Sequence, residues 1–228
     1  ASSLAGSHGK FGFFVSETES YQKIANELGI TRKSGKGEPL CYARHPLVYL
    51  VEAADDICYE IMDIEDAHKL KILSFEETKE LLLGFFDDGE KDEICRRMEE
   101  EHVTDLNERV VYMRACAIGK LEHDCVDAFV AHEQDILDGT FEKSLIKHLP
   151  QRELDAYKRC AEISRQKIYL SKPVLDIELS GYKIMETLMS VFIEAAVNPE
   201  RFHSQQLIRR VSSQYDISGD QLETRIMA

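Results

Sequence analysis

Apolar residues in this chain recur mostly at intervals of three or four, the period of an amphipathic α-helix. Helix-start signals accompany this pattern. Ser16 followed by Glu19, and Ser74 followed by Glu77, are capping-box sequences. Pro46 suits the first turn of a long central helix, where its missing N–H has no partner to lose. The pattern therefore predicts an all-α fold.

The spacing also predicts where helices and loops lie. Helices are expected over 16–28, 46–66, 74–86, 92–135 (as one helix or two in series), 150–170 and 181–197. The polar stretches 31–38 and 87–93 are predicted to be loops. Pro173 is interpreted as a break, with a short extended piece after it. No repeat or domain boundary interrupts the pattern, so a single helical domain over 1–228 is predicted.

Composition narrows the class of protein. The formal net charge of the 228-residue chain is −14, which argues against a generally basic nucleic-acid surface. The six cysteines form no CxxC pair, and Cys58, Cys116 and Cys125 lie beside apolar residues, so reduced, packed thiols are predicted. No apolar run approaches the roughly 20 residues of a membrane span, and no secretory signal opens the chain. These features predict a soluble, cytoplasmic protein without a membrane segment.

The central helix carries an acidic stripe within RHPLVYLVEAADDICYEIMDIED, residues 44–66. At roughly 100° per residue, one third of its circumference holds five carboxylates and a tyrosine: Glu52, Asp55, Asp56, Tyr59, Asp63 and Asp66. The opposite side is mainly apolar: Leu50, Ala54, Ile57, Cys58, Ile61, Met62 and Ile64. Like charges at this spacing repel by a few tenths of a kcal/mol per pair. The stripe therefore indicates either a solvated face or a cation site.

Other candidate chemistry is weaker. The chain contains no phosphate-binding loop, no dinucleotide-binding glycine motif and no serine nucleophile elbow. The adjacent His123 and Asp124 have the side chains of a metal site, but the apolar stripe beside them favours an ordinary surface helix. His132 with Glu133, and the run from Glu99 to His102, are interpreted as exposed in the same way.

The sequence motifs around the stripe resemble those of a known family. KFGFF at residues 10–14 followed by SE, the phrase EAADDI-x-Y at residues 52–59, and ELSGYKIMETLMSVF at residues 178–192 look like the deoxynucleoside triphosphate triphosphohydrolases. These dGTPase-like enzymes belong to the HD-domain phosphohydrolase superfamily. The resemblance implies the helical HD-type fold and metal-dependent cleavage of dNTPs into deoxynucleoside and inorganic triphosphate.

The resemblance assigns roles to residues of the acidic stripe. The first aspartate of EAADD in the family ligates a divalent metal, which implies Asp55 as a ligand for Mg²⁺ or Mn²⁺. The tyrosine four residues later packs on the nucleobase, and the aspartate eight residues later accepts from the deoxyribose 3′-hydroxyl, which implies Tyr59 and Asp63. Helix geometry is compatible with this set, since each step of four residues rises by about 6 Å.

The family's metal-binding histidine and His-Asp pair lie upstream of EAADD, and neither motif precedes it here. His8 and His45 are poor substitutes. The chain is therefore interpreted as the C-terminal part of the enzyme, inactive alone and supplying no catalytic residue beyond the metal ligand. The resemblance also implies a homo-oligomer and a nucleotide or single-stranded DNA effector. Two alternatives stay open: a non-catalytic helical module that binds a partner, and an HD-type hydrolase of another phosphate ester.

Overall fold

The computed structural model describes residues 13–212 of the 228. His8 and most of the KFGFF motif lie outside that range. The chain divides into two compact units, Ala1–Ile168 and Tyr169–Ala228. The single domain expected over 1–228 stays a prediction.

The described residues are predominantly helical, as predicted. The helices are α1 (Thr18–Glu27), α2 (Pro46–Lys69), α3 (Phe75–Leu83), α4 (Asp88–Glu100), α5 (Leu106–Ala131), α6 (Glu133–Leu137), α7 (Gln151–Ile163), α8 (Lys172–Val197) and α9 (Phe202–Ile208). Shorter turns are 3₁₀ at Val15–Glu17 and Leu145–His148 and a π-turn at Ser164–Ile168. Between residues 13 and 212 the β-structure is one isolated bridge, Arg32 to Tyr42. The all-α class is confirmed.

Several helix ends follow the predicted signals. Ser74 caps α3, because its Oγ accepts from the Glu77 N–H at 3.3 Å while Glu77 Oε2 accepts from the Ser74 N–H at 3.0 Å. Pro46 is in the first turn of α2. Gly29 follows α1 with a φ of 66°, a left-handed conformation that favours glycine. These local signals work because each acts within a few residues.

Two predictions near helix starts were wrong. Residues 88–93 are not a loop, because the Asp87 carboxylate accepts from the Glu90 N–H at 2.9 Å and so caps α4. The acidic run that looks like a linker is thus a first turn, where negative charge is favourable. Ser16 does not cap α1 either; Glu17 instead accepts from the Phe14 N–H at 2.8 Å.

The segment after Pro173 is helical rather than extended. Pro173 lies in the first turn of α8, where a proline costs no hydrogen bond. The helix then continues to Val197 and ends at Asn198, as predicted. Of the helices in residues 13–212, none combines the length and the apolar character needed to cross a membrane.

The first unit is built around α2 and α5, which make the most extensive helix–helix contact. Helix α3 packs on both of them, and α7 packs on α2 and α3. The largest fully buried apolar side chains are Phe85, Ile61, Ile64, Leu82, Met113, Leu121, Ile136, Leu145 and Val110. Burying one such side chain contributes roughly 1.5–3 kcal/mol. This packing fixes the rotation of α2 and therefore which of its residues face outward.

Candidate functional site

Helix α2 presents one face to the core and the other to solvent. Its buried residues are Tyr49, Ala53, Ile57, Glu60, Ile61, Ile64, Glu65 and Ala67. Of the seven residues predicted for the apolar side, Ile57, Ile61 and Ile64 are buried and Leu50 is half-buried. Ala54, Cys58 and Met62 are exposed. The outward face of α2 is therefore partly apolar. The packed thiol predicted for Cys58 was wrong, whereas Cys125 is buried.

The candidate residues of the stripe lie on successive turns of this helix. Asp55 is exposed, and within residues 13–212 its carboxylate has no hydrogen-bond or ion-pair partner. The ring of Tyr59 is also open, with 62% of its surface accessible. Asp63 is half-buried at the edge of the packed face. The structure thus presents a carboxylate, an aromatic ring and a second carboxylate in order along one helix.

The remaining charges of the stripe are engaged differently. Glu52 forms an ion pair with Arg44 at 2.8 Å, and the Arg44 guanidinium lies 4.8 Å from the centre of the Tyr49 ring. Asp66 is 3.5 Å from Lys69, an exposed pair that contributes little to stability. The stripe is therefore not a uniform row of repelling carboxylates, because some of its members have cationic partners.

Sequence reasoning missed two buried glutamates on α2. Glu60 is 7% exposed, and its Oε1 accepts a hydrogen bond from the Ser164 hydroxyl at 2.8 Å. Burial raises the pKa of Glu60, which Asp63 also raises, while Ser164 and Arg165 oppose the shift. The available signal was its position: Glu60 lies three residues after Ile57 and four before Ile64, on the apolar face.

Glu65 is the second buried carboxylate, at 6% exposure. Arg114 of α5 pairs with it at 2.6 Å and Lys69 at 2.6 Å. Two cations around one buried acid offset the cost of removing it from water. This ion-pair group ties the C-terminal half of α2 to α5.

The His123–Asp124 pair is not a joint metal site. The His123 side chain is 77% exposed, whereas Asp124, expected on a surface, is buried. Asp124 is 3.5 Å from Lys120, which also lies 3.5 Å from the buried Glu153 of α7. Adjacent residues on a helix point about 100° apart, which explains the divergence. No group of three or more His, Cys, Asp or Glu side chains suited to a metal occurs in residues 13–212.

A shallow cleft of about 270 Å³ is lined by none of the stripe residues; its walls are His132, Asp135, Thr140, Phe141, Glu142, Lys143 and His148. The His132 and His148 rings are 4.4 Å apart, and each lies about 5 Å from the Phe141 ring. Burial, with His132 and Lys143 nearby, lowers the pKa of His148. Tyr49 connects this group to α2, because its hydroxyl donates to the Phe141 carbonyl at 2.6 Å.

Comparison with known proteins gives these positions a context. No protein-family model matches the chain. A deoxyguanosinetriphosphate triphosphohydrolase-like protein of Pseudomonas aeruginosa is 31% identical over 195 residues, which cover 86% of this chain and 42% of that protein. A protein of the same name from Synechocystis is 28% identical over 84% of the chain and 40% of its own length.

The chain is similar in sequence to part of the deoxyguanosinetriphosphate triphosphohydrolases. The deoxyguanosinetriphosphate triphosphohydrolase of Salmonella typhi supports this, at 26% identity over 80% of the chain and 36% of that protein. The resemblance found in the sequence is confirmed. The chain spans 36–42% of the length of these curated relatives.

Proposed function

We propose that this chain is the C-terminal part of a metal-dependent deoxynucleoside triphosphate triphosphohydrolase. The reaction is hydrolysis of a dNTP, with dGTP as the first candidate, to a deoxynucleoside and inorganic triphosphate. The observation that carries the proposal is the ordered set on α2 of the exposed Asp55 and Tyr59 followed by the half-buried Asp63. The relatives named above support it.

In this proposal Asp55 is one ligand of a divalent metal. Its open carboxylate suits Mg²⁺ or Mn²⁺, which prefer oxygen ligands. Glu52 is tied to Arg44 and is a weaker candidate. A bound metal orients the triphosphate and offsets its charge during hydrolysis. The other ligands come from parts of the whole enzyme beyond residues 13–212, so this chain alone has negligible activity and weak metal affinity.

Tyr59 and Asp63 recognise the nucleoside in this proposal. An exposed aromatic ring offers a face on which a base can stack, which contributes about 1–3 kcal/mol. Asp63, one turn further along α2, accepts a hydrogen bond from the deoxyribose 3′-hydroxyl. The spacing of about 6 Å between these positions is compatible with contacts to neighbouring parts of one nucleotide.

The whole protein is further proposed to be a cytoplasmic homo-oligomer whose activity a nucleotide or single-stranded DNA can modulate. Its acidic balance, −14 over the chain, means that metal ions and local cations must bind the triphosphate. A second candidate function is a partner-binding helical module. The exposed apolar residues beside Asp55, namely Val51, Cys58 and Met62, favour it.

The test is triphosphate release by the full-length gene product from each dNTP, with Mg²⁺ or Mn²⁺. Asp55→Ala should lower kcat/KM at least about 100-fold, since even residues that only support a metal ligand cost 10- to 100-fold. Tyr59→Ala should raise KM roughly 5- to 150-fold through lost stacking. Asp66→Ala, an exposed aspartate on the same helix, is the matched control and should leave both values unchanged.

Two results separate the alternatives. No triphosphate release, or release unaffected by Asp55→Ala, removes the enzyme and leaves the partner-binding module. If Tyr59→Ala and Asp63→Asn slow hydrolysis of a generic phosphodiester such as bis-p-nitrophenyl phosphate as much as that of a dNTP, the broader phosphoesterase is favoured. Tight stoichiometric Mn²⁺ binding by this chain alone, measured by calorimetry, would contradict the incomplete metal site.

A further inference from the structure

Helix α7 and the π-turn that follows it hold α2 on the flank beside the stripe. The Tyr157 hydroxyl donates to the backbone carbonyl of Asp56 at 3.2 Å, and the Ser164 hydroxyl donates to Glu60 Oε1 at 2.8 Å. The first bond joins residues 101 apart in the sequence and the second joins residues 104 apart. Both bonds fall one turn apart on α2, inside the segment that carries Asp55, Tyr59 and Asp63.

These two hydrogen bonds lie in or beside the buried core of the first unit. Ser164 and Cys160 are 0% exposed and Glu60 is 7% exposed. A hydrogen bond to a buried carboxylate is stronger than a neutral one, and removing one partner leaves the other unsatisfied. An apolar contact tolerates small rotations of a helix, whereas a hydrogen bond at 2.8 Å has a narrow range of geometry.

The angle around the α2 axis between Glu60 and each candidate residue indicates how directly the Glu60 hydrogen bond affects that residue. Measured around α2 from Glu60, Asp63 lies about 60° away, Tyr59 about 100° and Asp55 about 140°. Asp63 is thus the candidate residue nearest to the bond. A helix rotation of about 20° would displace a side-chain tip by roughly 2 Å, which is enough to break a hydrogen bond to the substrate.

The element that supplies Ser164 is itself unusual. The helical turn Ser164–Ile168 has π geometry, and both its first and last residues are buried. Such turns are rare and occur frequently at functional sites. Here the wide turn ends α7 with the Ser164 hydroxyl facing Glu60 of α2.

We propose that Glu60 is a positioning residue for substrate recognition. Its hydrogen bond to Ser164, helped by the Tyr157–Asp56 bond, sets the rotation of α2 that presents Tyr59 and Asp63 to the nucleoside. This inference rests on the proposed function and adds residues that touch neither substrate nor metal.

The experiment measures kcat and KM for dNTP hydrolysis by the full-length enzyme and its variants. Ser164→Ala and Glu60→Ala should each raise KM roughly 3- to 10-fold, the value of about one hydrogen bond, with a smaller change in kcat. Their double variant should be no worse than the poorer single one, because they remove the same bond. Glu60→Gln should restore most of the KM, because its amide oxygen still accepts from Ser164.

Lys167→Ala is the matched control. It lies in the same π-turn but pairs with the exposed Glu77 at 2.6 Å, so its KM should stay at the wild-type value. Tyr157→Phe, which removes only the hydroxyl, provides a second variant if Glu60→Ala fails to fold. An active wild type whose KM is unmoved by Ser164→Ala and Tyr157→Phe overturns the positioning role alone. An inactive wild type overturns the proposed function and this role together.

Discussion

Glu60 occupies a place where an apolar side chain would be ordinary, because Ile57, Ile61 and Ile64 share its face of α2 and are buried. Its carboxyl has the Ser164 hydroxyl as a hydrogen-bond partner but no ion pair within residues 13–212. Burial therefore raises its pKa above 4.5. The folded protein consequently retains a proton on Glu60 at pH values where the unfolded chain has released it.

This raised pKa predicts a pH effect on stability. The contribution of Glu60 to the free energy of unfolding is fully present below pH 4.5 and is lost as the pH rises from 4.5 through the folded-state pKa. Glu60→Gln removes the titrating group but keeps the hydrogen-bond acceptor. Urea unfolding at about pH 5 and about pH 8 should show that wild type loses more free energy of unfolding across this range than Glu60→Gln.

Glu99→Gln, at an exposed position in α4, is the control and should keep the wild-type slope. Equal pH slopes for wild type and Glu60→Gln would contradict the raised pKa.

At the scale of single residues, the sequence predicts which residues share a helix face, but it does not predict their partners in distant parts of the chain. The order of Asp55, Tyr59 and Asp63 along one face follows from helix periodicity alone, and the structure places them so. The partner of Glu60 lies 104 residues away, and that of Glu65 lies on another helix. Periodicity within α2 can place Glu60 on the apolar face, but it cannot identify these distant partners.

At the scale of elements, two helices end in the same way but in different surroundings. Gly29 after α1 has a φ of 66° and Gly139 after α6 has a φ of 71°. In each case the next residue donates back across the turn, Ile30 to the Ala25 carbonyl and Thr140 to the Asp135 carbonyl. A Cβ at Gly29 would meet open space, whereas one at Gly139 would lie 2.6 Å from the Ala43 Cβ.

Alanine at these two glycines should therefore have unequal costs. Gly29→Ala should lower the free energy of unfolding by about 1–2 kcal/mol, the cost of a side chain in the left-handed region. Gly139→Ala should lose a further 1–3 kcal/mol or so from overpacking. Chemical denaturation of both variants measures the difference, and equal losses would show that the segment around Ala43 moves aside freely.

Some helix boundaries are marked by an unambiguous sequence signal within one turn. Others are marked by residues that are compatible with either a helix start or a loop. Ser74 and Pro46 start helices as predicted, because capping and ring geometry act within one turn. Pro173 and the acidic run from Asp87 were misinterpreted. A proline both ends and begins helices, and an acidic run both repels in a linker and stabilises a first turn.

At the scale of the whole first unit, three rings that line the cleft (His132, Phe141 and His148) form a group that contacts the start of α2 through Tyr49. Tyr49 packs edge-on against Phe141 at 5.2 Å and donates to its carbonyl, and Phe141 contacts the His132 and His148 rings. Asp135 lies 3.6 Å from His132 Nδ1, while Glu142 and Lys143 line the same cleft. The Nε2 atom of His148 is buried without a hydrogen-bond partner among residues 13–212.

This arrangement predicts acid sensitivity. The pKa of His148 is lowered from 6.5, so the unfolded chain binds a proton more readily than the folded one. The contribution of His148 to stability is therefore full above about pH 6.5 and is lost as the pH falls through that value towards the folded-state pKa. Thermal unfolding between about pH 7.5 and about pH 5 should show a smaller fall in Tm for His148→Gln than for wild type.

His123→Gln, at an exposed histidine in α5, should retain the wild-type fall in Tm. Identical falls in wild type and His148→Gln would contradict the link between the cleft and acid stability.

The exposed Cys58 lies one residue before Tyr59, so a thiol reagent can label the candidate site. Cys125 and Cys160 are buried, and burial raises the pKa of each to about 12, so neither readily forms a thiolate. With the half-buried Cys41, Cys95 and Cys116 replaced by serine, a thiol-directed fluorophore would attach at one place on α2. Its emission would then test the proposed stacking of a base on Tyr59, and the 228 residues of this chain contain no tryptophan to interfere.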